Sequence, residues 1–507
     1  MNRVFQRTGQ VSPRRSMFDL SYSKLLTGEL GKLYPVLCDE VVSGDFWQIG
    51  NETVLRFNPL LAPVLHRIDC VTHYFFVPYR ILDENWEDFI TGGKNGDNAY
   101  TLPRFDDANP KLYGKGYLWD YFGFPLGDGV NGSEQFGMLP LAFPWYAYNK
   151  IWNEYYRDEN LQDEVVLWSG DVLHRSWEKD YFTSALPFQQ RGTSPAFPVS
   201  GSGNVEYMTG DIIKSGQGTN IRAWSDSMGG NYMTVDNTDD VQALENWFLN
   251  SNKVTIENLT TFDVNDLRLA FQIQKWMERN ARAGVRYTEF LQAHFGVYPR
   301  DERLQRPEYI GGTKNPVIVS EVLQTSSTDG TSPQGNMAGH AINVQQGYVG
   351  KYHVKEYGII MGLMSIMPKP AYMQGINRQW LRETRYDFYF PEFANLSEQA
   401  IMTAELYNVS GQSEVEARSV FGFQGRYDEM RVKQNLITGD FRDTFNYWHL
   451  GREFSNKPLL NESFILCNPT KRYLAVNSEP AFLCNFGNII KAFRPLPVIA
   501  EPGFIDH

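Results

Sequence analysis

The sequence predicts a mainly β protein, an all-β sandwich or barrel with long loop insertions and a few helices. Three observations carry that class. Many short runs alternate with a two-residue period between Gly-, Asn- and Pro-rich turns, few segments have helical spacing, and no repeat period is present. The strand-like runs are not interleaved with helices as a βαβ fold requires. At 507 residues, with 42% hydrophobic and 14% aromatic content, the chain can build a large core and is not intrinsically disordered.

From Leu33 to Tyr79 three strands are expected. PVLCDEVVSGDFWQIG turns at Ser43-Gly44-Asp45, ETVLRFNPL follows Gly50-Asn51, and HRIDCVTHYFFV is apolar on both alternating faces, so both sides are covered. Pro78 has no N–H for a ladder and stops the third strand. The following Asp83, Glu84, Glu87 and Asp88 read as the acidic start and outer face of a short helix. In that helix Trp86, Phe89 and Ile90 pack inward and Gly92-Gly93 close it. A glycosidase-like carboxylate pair is the competing reading of these acids.

Residues 92–140 form a Gly-, Asp-, Asn- and Pro-rich excursion. FPWYAYNKIWNEYYRDEN (143–160) has helical spacing at Trp145, Tyr148, Ile151 or Trp152, and Tyr155. Residues 192–240 return to low-hydrophobicity loop. The clearest helix is 263–284, with Asp263 as N-cap and Gly284 as stop. Val264, Leu267, Phe271 and Met277 form its apolar stripe, Leu269, Ile273 and Trp276 widen it, and Arg268, Lys275, Arg279 and Arg282 lie on the other face. The last third reads as strands at NPVIVSEVLQTS, GYVGKYHVKEYGIIMGLMSIMPKP, YDFYFPEF, Phe421–Val432, SFILCNP and PAFLCNFGNIIKAFRPLP. GIIMGLMSIM is the central one.

The formal charge of −12 is unevenly placed. Residues 1–16 carry Arg3, Arg7, Arg14 and Arg15 without an acid, an arm suited to sequence-independent phosphate contact. Between Ala196 and Asp263, nine acids stand against Lys214, Arg222 and Lys253, a net of −6 facing solvent. The four cysteines lack zinc-ligand spacing and read as buried reduced thiols. The eight histidines are scattered, with His66 and His73 read on a strand pair, and no phosphate loop, GxSxG, HExxH or calcium loop occurs. No catalytic, metal or cofactor-binding residue is assigned. The longest apolar run, Ile359–Met367, is too short to cross a bilayer, and no hydrophobic segment follows the early arginines, so neither membrane insertion nor secretion is expected.

Three blocks carry a family likeness: SMFDLSYSKLLTGELGKLYPVLCDEVVSGD, RFNPLLAPVLHRIDCVTHYFFVPYRILDENWEDFITGG and FQGRYDEMRVKQNLITGDFRDTFNYWHLGREF. In that order they resemble the major capsid proteins of the Microviridae, icosahedral single-stranded-DNA bacteriophages, and the gokushovirus-like branch most. The likeness runs from Phe18 to the C-terminus. It implies a non-enzymatic structural protein whose fold is an eight-stranded antiparallel jelly roll with long insertions. Sixty copies would form a T=1 icosahedral shell around a circular single-stranded DNA genome. The implied organisation is a basic N-terminal arm, 1–17, followed by a single jelly-roll capsid domain, 18–507, in which 196–262 forms a surface protrusion that contacts a host receptor. The implied partners are other copies of the chain, the DNA genome, a scaffolding protein, a DNA-pilot protein and a small basic DNA-binding protein. The implied location is the virion, assembled in the bacterial host cytoplasm. The DNA-facing candidates Arg3, Arg7, Arg14 and Arg15 rest on charge and position alone.

Overall fold

The alternating runs become strands in the computed structural model, which describes residues 14–96, 99–195, 204–206, 221–225, 231–235, 253–255, 264–323 and 337–499. In chain order the first five are β1 (Ser16–Asp19), β2 (Tyr22–Gly28), β3 (Tyr34–Val41), β4 (Phe46–Phe57) and β5 (Ile68–Pro78). Four short strands follow, β6 (Asn204–Glu206), β7 (Ile221–Ser225), β8 (Asn231–Val235) and β9 (Lys253–Thr255). Then come β10 (Glu308–Pro316), β11 (Ile318–Leu323), β12 (Met337–His353) and β13 (Gly358–Pro368), and finally β14 (Glu398–Met402), β15 (Val420–Gly425) and β16 (Phe482–Arg494).

Two antiparallel sheets dominate. One has the order β1-β16-β4-β12-β11, with β2 also paired to β16; the other has the order β10-β5-β13-β3. Their inward side chains meet, with Leu37, Tyr74 and Ile360 from the four-stranded sheet against Trp47, Ile49 and Ile490 from the six-stranded one. This is a β sandwich, held by the apolar area that each sheet removes from water on the other. β5 and β13 are adjacent, in register from Gly358 opposite Pro78 to Pro368 opposite Ile68. β13 is buried along its whole length, as its uninterrupted apolar run predicts, and β5 is buried everywhere except at half-buried His73.

The second face of the four-stranded sheet is covered by the long excursion and the helix after it. Short turns at Pro110–Tyr113 and α2 (Leu118–Tyr121) bring Phe105, Tyr113 and Trp119 against Trp145, Tyr148 and Ile151 of α3 (Phe143–Ile151). Phe105 stacks on Trp145 with ring centroids 4.1 Å apart. The helical run continues beyond α3 as a π turn, Trp152–Tyr156.

The corner after β5 also follows the sequence. Beyond Pro78 the chain makes one 3₁₀ turn and then α1 (Trp86–Thr91), which ends on Gly92 at φ +79°. Trp86 is buried and stacks edge-on to Tyr79, 4.7 Å away. Ile90, expected to pack inward, is exposed, while Phe89 packs beside Trp86 with ring centroids 5.9 Å apart.

Four expectations need correction. YDFYFPEF is two 3₁₀ turns, Arg385–Asp387 and Pro391–Phe393, because among the described residues no strand lies beside it to complete a ladder. SFILCNP is the helical turn Glu462–Ile465, capped by the Asn461 side chain, which accepts from Phe464 N at 3.0 Å. Phe421–Val432 is β15 only to Gly425, after which Asp428–Arg431 coils into a helical turn. His66 precedes β5 rather than lying on a strand.

The chain divides into two compact units, Met1–Arg191 with Glu278–His507, and Gly192–Met277. Within the second, β6 pairs with β9 and β7 with β8. The helix read at 263–284 is α4 (Val264–Ala283); Asp263 lies outside the described residues, and Gly284 stands at φ +97°. On α4, Leu269, Phe271 and Trp276 are exposed. Among the described residues no helix is long and apolar enough to cross a membrane.

Candidate functional site

Beyond β13 the chain carries RQWLRETRYDFYFPEF (378–393), and local chemistry decides how its aromatics point. The Asp387 carboxylate closes a capping box, accepting from Thr384 N at 2.7 Å and from Thr384 Oγ1 at 2.9 Å. Those bonds, the backbone one first, hold Asp387 below the usual carboxylate range. Pro391 opens the next turn with its φ already set. Along the run the aromatic side chains face water: Trp380 is 76% exposed and Phe388 52%, and Tyr386, Tyr389 and Phe390 are exposed with them.

This strap has a firm base. Arg378 donates from Nη1 to the buried Glu405 carboxylate at 2.6 Å and to Ala400 O at 2.7 Å. Tyr427, in the left-handed region at φ +64°, donates its hydroxyl to Phe388 O at 3.0 Å and so fixes the strap from below. Arginines lie over the rings, Arg382 5.1 Å from the Phe388 centroid and Arg385 4.8 Å from that of Tyr386. Exposed Trp, Tyr, Phe and Arg on a rigid base are the side chains that fill the centres of protein interfaces. A patch of this kind on one chain marks a contact with another.

The predicted site residues are elsewhere. Arg3 and Arg7 lie outside the described residues. Arg14 and Arg15 are exposed immediately before β1, and the Arg15 guanidinium reaches Gly44 in the β3–β4 turn, 3.3 Å from where a Cβ would stand. Of the four acids at the corner, Asp83 is buried and accepts from Asn85 N at 3.0 Å and from the Tyr100 hydroxyl at 2.8 Å. Glu87 lies 3.5 Å from Arg80, while Glu84 and Asp88 face water. They hold the corner and form no opposed pair. Cys70, Cys467 and Cys484 are buried, Cys38 half-buried, and all four are free; burial pushes the Cys38 and Cys70 thiols up to about 12.

His73 Nδ1 lies 2.7 Å from the Tyr156 hydroxyl. Burial, with Arg175 and Lys314 adding to it, pushes the ring down to about 4, so it is neutral at pH 7. The strap was visible in the sequence as an aromatic and arginine run. Its two-residue alternation imitated a strand.

A family model described as Capsid protein (F protein) matches residues 8–504. The chain is 33% identical to capsid protein VP1 of Chlamydia phage 1, across 99% of this chain and 98% of the relative. It is 32% identical to capsid protein VP1 of Bdellovibrio phage phiMH2K, across 98% and 97% of the two chains. Capsid protein VP1 of Spiroplasma virus 4 is 27% identical, across 96% and 95%.

Proposed function

The chain belongs to the phage capsid (F) protein family, and from that premise we propose that sixty copies close into a T=1 shell around a circular single-stranded DNA genome. Its role is structural rather than enzymatic, its place is the virion, and self-assembly into a shell follows from the family. The observation that carries the assembly reading is the strap at 378–393, whose aromatics a single chain leaves in water. Closed symmetry buries such patches in identical repeated contacts.

The finer fold reading is an eight-stranded jelly roll. Strand order supports it: β2-β16-β4-β12 faces β3-β13-β5-β10, with β1 and β11 as additions at the edges. The arginine arm faces DNA, on the strength of Arg3, Arg7, Arg14 and Arg15 without an acid among residues 1–16. Residues 196–262, net −5 and inside the second compact unit, form the surface protrusion that meets a host receptor. Assembly takes place in the bacterial cytoplasm with a scaffolding protein, a DNA-pilot protein and a small basic DNA-binding protein.

Electron microscopy of particles containing this chain, with nuclease digestion before the genome is extracted, tests the central reading. An icosahedral shell of sixty subunits with protected single-stranded DNA is expected; a different subunit number, or no protected DNA, overturns it. Charge reversal at Arg3, Arg7, Arg14 and Arg15 lowers packaged DNA more than shell yield. Shortening 200–240 leaves the sandwich folded and changes host attachment.

A further inference from the structure

An antiparallel sheet packed on one face ordinarily turns a polar face to water. The six-stranded sheet interleaves large apolar side chains with charged ones on that face. Along β4, Trp47, Ile49, Leu55 and Phe57 point into the core, and Phe46, Gln48, Gly50, Glu52, Val54 and Arg56 point out. Register carries those outward positions across the sheet in rows. One row runs Leu25, Asn485, Val54, Val344; the next but one brings Ile489, Gly50 and Tyr348 side by side. Leu25 is 81% exposed, Val344 66% and Tyr348 60%. Further along, Met17, Phe493 and Phe46 form another apolar row.

The charges on this face differ in balance from the chain as a whole. Arg56, Lys115, Lys351 and Lys491, with Arg14 and Arg15 leading into β1 at its edge, stand against Asp19, Glu52 and Asp120, whereas the whole chain is −12. The row Asp19, Lys491, Gln48, Lys351 places amide and ammonium groups on neighbouring strands, about 5 Å apart. At the Arg56 corner the sheet and the 115–126 loop enclose a trough of about 630 Å³. Leu25, Val54 and Leu483 supply its apolar floor, and Arg56 and Lys115 its cations. Lys24 at its edge is spent on the fold, donating to Pro35 O at 2.9 Å and to Tyr121 O, and burial pushes it down to about 8.

Flat apolar and aromatic side chains beside amides and cations make a surface on which unpaired bases stack while phosphates meet positive charge. A protein partner of this acidic chain's own kind would bring carboxylates toward three already there. We propose that the outer face of the six-stranded sheet, with the trough at Arg56, is the seat of single-stranded DNA, an inference that rests on the genome-enclosing reading above. Tyr348, Phe46 and Phe493 stack on bases, and Arg56, Lys115, Lys351 and Lys491 hold the backbone.

Ultraviolet cross-linking of intact particles followed by peptide mass spectrometry tests this directly. Nucleotide adducts are expected on peptides carrying Tyr348, Phe46 or Phe493. Particles that protect single-stranded DNA but give adducts only elsewhere overturn the sheet face and leave the genome-enclosing reading standing; so does a face cross-linked to another protein instead. Particles without DNA overturn both. In solution, the full chain with Arg56→Gln and Lys115→Gln binds oligo(dT) about tenfold more weakly, and its log–log salt slope falls by about 1.4. A parent chain that does not bind oligo(dT), or a variant with unchanged affinity and slope, overturns the proposal.

Discussion

β13 and the strap at 378–393 are both rich in large apolar groups, yet one is sealed inside its own chain and the other stands in water. β13 has β5 on one edge, β3 on the other, a facing sheet and an overlying helix. The strap has a capping box, ion pairs and a pinned tyrosine beneath it, and its large aromatics stand exposed. The two regions separate two ways of using apolar surface. In β13 burial drives the subunit to fold; in the strap the single chain leaves that driving force unused, and the proposed assembly would draw on it.

Four measurements would break or sharpen that contrast, and they descend in expected effect on the isolated chain. Phe76→Ala, in the core between the sheets, lowers unfolding free energy by about 3–5 kcal/mol in denaturant titration; a loss below about 1 kcal/mol would break the account of the core. Acidification comes next, through His73. The unfolded ring takes a proton near pH 6.5, the folded ring only near 4. Between those values the unfolded chain binds more protons, so stability falls as pH falls from 6.5 to 4, by about 3 kcal/mol for this ring. His73→Gln removes that share of the pH dependence, which parallel titrations at pH 7 and pH 4.5 would read.

Asp83→Ala, which strips the acceptor from Asn85 N and the Tyr100 hydroxyl, costs about 1 kcal/mol by thermal unfolding. Smallest in the isolated chain is Trp380→Ala with Phe388→Ala, within about 0.5 kcal/mol of the parent. The same pair lowers particle yield on sedimentation by about tenfold or more. A folded but unassembled subunit is the signature that distinguishes strap from core. Equal loss of both would make the strap part of the core.

The contrast also explains how much could be read in advance. β5, β13 and β16 were legible because each is long, apolar and bounded by Pro or Gly, and their partners lie in the same chain. The corner at Trp86 was legible down to its closing Gly92, since caps are local chemistry. Residues 386–393 were misread because alternation alone does not make a strand; a ladder needs a neighbour, and among the described residues these turns have none. The trough at Arg56 was not legible at all. It joins β2, β4, β16 and the 115–126 loop, and only register brings Leu25, Arg56 and Leu483 together. The arginine arm was legible as charge, but only Arg14 and Arg15 of its four lie within the described residues.

The place of β16 has a consequence for synthesis. It is the last strand among the described residues, yet it sits inside the six-stranded sheet, pairing with β1 and β2 on one side and β4 on the other. Its Arg494 reaches the buried Asp45 carboxylate at 3.0 Å, and its Asn488 donates to Val36 O at 3.0 Å. While the ribosome still holds residues 482–494, the first strands made have no partner to zip against, and pairing across more than 400 residues is slow. A chain released early lacks the strand that joins its beginning to its middle. Such a fragment cannot complete the sheet.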